Sequence, residues 1–127
     1  MFEGIINGLF HALEGWNLLL IIFGTFLGIV FGSMPGLTAT MGLALLVPFT
    51  FGMEPAAGLI MLAGIYVGAM YADAIPAILI NTPGTPAAIA TTFDGFPLAQ
   101  KGMAQQALVT AAFASFVGSI IANIVLA

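Results

Sequence analysis

Residues 77–93 read AILINTPGTPAAIATTF, and the fold turns on this stretch. An apolar run breaks at Asn81-Thr82-Pro83-Gly84-Thr85-Pro86 and resumes at once. Proline removes a backbone N–H and glycine opens conformations that other residues avoid, so the segment frees backbone groups from helical pairing. In hydrocarbon an unsatisfied group costs several kcal/mol, and such backbone survives only when buried in protein or facing a watery cavity. The break is therefore either a turn between two spans or a device with a use.

The composition sets the solvent. Of 127 residues, 61% are apolar and 5% charged, and the mean hydropathy is +1.20. A soluble domain carries about 25% charged residues, so this chain is read as an integral membrane protein. Five acids stand against one cation, Lys101, for a formal charge of −4. That balance excludes a nucleic-acid binder, which needs a basic face to displace counterions. It also leaves an anionic ligand almost no ammonium or guanidinium group to bind. With no cysteine, disulfides, thiolate catalysis and cysteine metal sites are excluded.

The expected fold class is all-α: a polytopic membrane protein with several transmembrane helices and Pro-Gly-broken or re-entrant segments. In residues 2–14, Phe2, Ile5, Ile6, Leu9, Phe10 and Leu13 share one helical face and Glu3, Asn7, His11 and Glu14 the other. Residues 1–15 therefore read as an interfacial amphipathic helix, with His11 a solvated surface histidine. Residues 16–34 carry no charge and are long enough to span, with Trp16 as an interfacial anchor. A Pro-Gly break, a short apolar run and a second break at Pro48 follow. Residues 55–80 span, a polar loop over FDGFPLAQKGMAQQ comes later, and a last apolar segment starts near Ala107. Asp94 reads as a turn former opening that loop. The Gly24-Gly28-Gly32 face permits close helix contact. The chain ends at SIIANIVLA within an apolar run, so residues 1–127 are expected to form a single transmembrane domain, the N-terminal part of a longer subunit.

The chemistry is expected at the interruptions. GSMPGLTATMG at 32–42 and INTPGTPAAIA at 80–90 each place Pro-Gly and hydroxyl residues between apolar stretches. A helix restarting after such a break directs free N–H groups and the positive end of its dipole at whatever sits there. Pro35, Gly36, Thr38 and Thr40 at the first break, and Asn81, Thr82, Pro83, Gly84 and Thr85 at the second, are the candidate substrate-binding residues. Their neutral donors suit a carboxylate without needing a cation, and their oxygens with freed carbonyls suit Na+. Asp73 is the one acid inside an expected span, where mid-bilayer placement would cost about 2.5–3.5 kcal/mol. It is the ion-coupling candidate, for Na+ or H+. The alternative, favoured by the nearness of Pro76, ends the span near Tyr71 and leaves Asp73 at headgroup level.

The segments PGLT, PFTFGMEP, LAGIYVGAMY, ILINTPGTP and DGFPLAQKG, in this order, closely resemble the large membrane subunit of the tripartite tricarboxylate transporters, the TctA family, from about Gly28 to Asn123. The resemblance implies a subunit of about a dozen spans in the bacterial cytoplasmic (inner) membrane. It implies a small membrane subunit and a periplasmic solute-binding protein as partners, and carboxylate uptake driven by an ion gradient with no cofactor. Two departures stand out. Many relatives have glycine and serine where this chain has Ala72-Asp73-Ala74, and many carry a further glycine where Thr38 stands.

Two other classes are weighed. An intramembrane enzyme would fit the Tyr71-Ala72-Asp73 triplet, but no Gly-x-Gly-Asp or Gly-x-Ser-Gly accompanies it, so no catalysis is expected. A small membrane scaffold binding a partner through its glycine faces would need these 127 residues to be the whole protein.

Overall fold

Three helices are long and apolar enough to cross a membrane, and two of them pack with almost no side chain between them. The computed structural model describes residues 1–127 and contains only helices. They are α1 (Phe2–Ala12), α2 (Gly15–Gly32), α3 (Ala39–Thr50), α4 (Pro55–Ala72), α5 (Ala74–Ile80), α6 (Ile89–Gln100) and α7 (Ala104–Leu126), with one 3-10 turn at Pro86–Ala88. The spanning candidates are α2, α4 with α5 as a 26-residue stretch, and α7.

The glycines explain the α2–α4 contact. Cβ atoms placed on Gly24, Gly28 and Gly32 would meet the backbone of Met61, Ile65 and Ala69 in turn. Reciprocally, Gly64 and Gly68 lie against the backbone of Ile21 and Thr25. Residue number rises together along both helices, so α2 and α4 run parallel. Small residues let backbones approach closely in a membrane, where dispersion and not water expulsion holds helices together. The glycine stripe is thus spent inside the chain. Leu20, Ala57, Met61 and Ile65 form the core of this pair, with Ile65 fully buried.

Parallel neighbours need a return path, and α3 supplies it. Pro35 and Gly36 (φ +92°) form the tip of a turn closed by the Leu37 N–H on the Met34 carbonyl at 3.1 Å. This is the type II pattern, with proline second and glycine third. Thr38 then caps α3, its hydroxyl oxygen accepting from the Met41 N–H at 3.3 Å. Twelve residues give α3 a length of about 18 Å, short of a core of about 30 Å. Gly42 packs on Phe31 and Ile65, and Thr50 reaches Gly58, so α3 descends beside α4. Pro48 does not break it before Thr50, because the helix ends within a turn of the proline.

At the amino end α1 has no buried residue. Its elbow with α2 is fixed by the buried Asn17, whose side-chain amide donates to the His11 carbonyl at 2.7 Å. His11 itself is exposed, with Nδ1 3.0 Å from the Glu14 carboxylate. The polar loop expected over residues 93–106 is a helix for its first half, α6, and Asp94 sits inside it on the exposed side. Tertiary packing overrides the local turn signal: Gly95 is buried against Ile78 of α5. The chain turns only at Gly102, where φ is +80°.

Three substitutions test this packing. Gly28→Val puts a branched side chain into the Ile65 carbonyl and should destabilise the α2–α4 pair by about 3 kcal/mol, read as a lowered midpoint of detergent-induced unfolding. Gly8→Ala, in open space on α1, should leave that midpoint unchanged or slightly raised. Thr38→Ala removes the cap of α3 and should cost about 1 kcal/mol on the same scale.

Candidate functional site

The α4–α5 stretch carries its own interruption at Asp73. Pro76 has no N–H to offer the carbonyl of Ala72, one turn back, and its ring crowds that carbonyl. The helix therefore pauses for one residue, Asp73, which stays in right-handed helical geometry (φ −60°, ψ −27°). The axis continues into α5 and does not turn away. Asp73 is only 6% exposed. The α4 helix ends at Ala72, and the carboxylate faces protein.

What it faces is the second break. α5 ends at Asn81, the one non-glycine residue with positive φ (+55°), a conformation asparagine tolerates better than most. The Thr82 N–H returns to the Pro76 carbonyl, six residues back, at 3.2 Å and closes the end of α5. The Thr82 hydroxyl donates to the Ile80 carbonyl at 3.1 Å. The chain then doubles back along α5 until it meets Asp73. There the Gly84 N–H donates to Oδ1 at 2.8 Å, and the Thr85 hydroxyl donates to Oδ2. Pro86 opens the 3-10 turn and α6 resumes beside α5.

Each part of this arrangement has a local reason. A Cβ on Gly84 would stand 2.5 Å from Oδ1, so a side chain there would push the Asp73 carboxylate away from the N–H. Pro83 and Pro86 flank the two donating residues and contribute no N–H of their own, so the segment has few amides to satisfy. No buried side-chain nitrogen or oxygen in the structure lacks a hydrogen-bond partner. The carboxylate, however, has no counter-charge. The only ion pair is His11–Glu14, and Lys101 is exposed at the far end of α6.

The other expected site residues are distributed as follows. Asn81 and Thr82 are exposed, and Pro83, Gly84 and Thr85 are half-buried. Pro35, Gly36 and Thr40 are exposed, and Thr38 is half-buried with its oxygen engaged in capping. Gly32 lies against Ala69, a few residues before Asp73, so both breaks occupy the same end of the α2–α4 pair. No hydrogen bond joins them. The first break is a turn with a capped helix after it; the second is a loop folded onto a buried acid.

A cavity of about 200 Å³ adjoins Asp73, with Tyr71, Thr91 and Ser115 as its other polar walls. Thr91 and Ser115 were not singled out from sequence. Ser115 sits in a helix with no break or charge to mark it, and only the packing of α7 on α5 and α6 brings it there. A larger apolar groove of about 720 Å³ lies nearby between α2, α4 and α7, lined by Thr25, Tyr66, Gly68, Phe116 and Ser119 among others. It holds no charged group.

The comparisons with known proteins agree with this architecture. The model of the tripartite tricarboxylate transporter TctA family matches residues 18–127. A protein of Agrobacterium vitis, described as an uncharacterized 52.8 kDa protein in the TAR-I ttuC' 3' region, is 44% identical over 116 residues. That alignment covers 91% of this chain and 23% of the relative, so the chain spans about a quarter of the length of the relative it matches. No solved structure matches the chain. With nearly all of its spanning helices inside the matched region, the chain belongs to the tripartite tricarboxylate transporter TctA family.

Proposed function

We propose that this chain is part of the membrane subunit of a secondary carboxylate transporter. It takes up a tricarboxylate-type substrate across the bacterial inner membrane at the expense of a Na+ or H+ gradient. Its partners are a small membrane subunit and a periplasmic solute-binding protein that delivers the substrate. Family membership supports the class, and one observation in the site supports the chemistry. The second break holds a carboxylate, that of Asp73, on a backbone N–H and a hydroxyl with no cationic side chain paired to it.

That contact answers how a chain with one lysine and no arginine handles an anionic substrate. Hydrogen bonds to an ionised acceptor are stronger than neutral ones, and donors fixed by the fold need no ordering when the ligand arrives. Gly84 and Thr85 are the donors in this reading, and Pro83 and Pro86 hold the segment extended. The first break, with Pro35, Gly36, Thr38 and Thr40, contributes at the same end of the bundle. The scaffold alternative loses its main support, because the glycine face it would use is buried between α2 and α4.

The test uses the full-length chain with its partner subunits in proteoliposomes, and labelled citrate and succinate as probes under an imposed Na+ or proton gradient. Gly84→Leu should lower uptake by about tenfold to a hundredfold, the loss of one charge-assisted hydrogen bond, while membrane insertion is retained. Uptake that survives intact would reduce the second break to a turn.

A further inference from the structure

We propose that Asp73 is an internal, displaceable ligand of the second break, released when a small monovalent cation (a proton or Na+) neutralises its carboxylate. This inference rests on the transporter reading above and names the residue through which the cation would act.

Asp73 is 6% exposed, and its two oxygens take one N–H and one O–H donor. Two neutral donors leave about half of a carboxylate's four or so lone-pair sites unused. A buried carboxylate without a counter-charge is costly, and a cation that reaches it is bound strongly. No element packed around it supplies such a cation. The α4 neighbour Tyr71 is the only other titratable group on the cavity wall. α7, α5 and the loop from Asn81 to Thr85 have none, and the Asp94 of α6 is exposed. The cation must come from outside, and the 200 Å³ cavity with the oxygens of Thr91 and Ser115 gives it a polar path to Asp73.

The second step is competition for the same donors. The cavity wall includes Asp73 but neither Gly84 nor Thr85, so these donors are withheld from the cavity while the acid holds them. A substrate carboxylate can take them only if Asp73 lets go, since two like charges on one pair of donors repel. Neutralisation, by a proton completing the COOH group or by Na+ on the carboxylate, weakens the hold of Asp73 on Gly84 and Thr85. It also removes the repulsion toward an incoming anion. Cation and carboxylate then enter together, which links their binding reciprocally.

The experiment reads the loop directly and does not depend on knowing the substrate. In the full-length chain, residue-resolved hydrogen exchange is followed at Gly84 while pH is varied without sodium, and while Na+ is varied at fixed pH. The flanking prolines leave Gly84 and Thr85 as the only amides between residues 83 and 86, so the signal is local. Protection of Gly84, taken relative to the intrinsic exchange rate at the same pH, should fall by about tenfold or more in one of the two series, as pH is lowered or as Na+ is raised, as expected when a charge-assisted hydrogen bond is lost. The responding series identifies the cation. In Asp73→Asn, protection should be low and independent of both variables. Constant protection in both series in the wild-type chain would overturn the proposal, as would a variant that responds like wild type. If the loop responds but the wild-type chain moves no citrate or succinate, the transporter reading fails and the release of Asp73 stands.

Discussion

A polypeptide in hydrocarbon has no water to satisfy its backbone, so every interruption of a helix must bring its own hydrogen-bond partner. This constraint organises the chain around Asp73. Pro76 interrupts the 26-residue stretch from Pro55 to Ile80, and Asn81 ends it. The extended residues that follow would expose the Gly84 N–H beside apolar helices. The carboxylate left at the pause caused by Pro76 receives that N–H and the Thr85 hydroxyl. One interruption thus stabilises another, eleven residues along.

The same economy governs the rest of the bundle. The parallel pairing of α2 and α4 depends on Gly24, Gly28, Gly32, Gly64 and Gly68, each set against the neighbouring backbone. Because the pair is parallel, the connection must cross back, and the type II turn at Pro35-Gly36 with its Thr38 cap starts a helix too short to span. The turn and the folded loop then meet the same end of the pair for different reasons. The turn is there because α2 ends there. The loop is there because Asp73 holds it.

Most of the architecture was legible in the sequence because the strongest signals are compositional and periodic. Apolar runs of spanning length located α2 and α4–α5, and the amphipathic pattern of residues 2–14 located α1. The glycine spacing announced close contact but not its partner, since nothing in a one-dimensional pattern says that Gly28 meets Ile65. The error at residues 93–100 has a clear cause. Asp94, Gly95 and Pro97 are turn residues by local preference, yet Gly95 is there so that α6 can lie against Ile78. Local preference is worth tenths of a kcal/mol to about one, and packing overrides it.

The candidate site was legible by residue type and not by geometry. Pro-Gly with neighbouring hydroxyls marked both breaks, but the two differ in kind, and only the fold separates an exposed turn from a loop closed on a buried acid. Asp73 showed itself as the single acid in a span. Its surroundings could not be read from sequence because Pro76 follows so closely; in the structure that proline stops the ladder without turning the chain, and Asp73 stays packed against protein. Its carboxylate occupies the Gly84 N–H and the Thr85 hydroxyl, so an anion that is to use those donors must displace it.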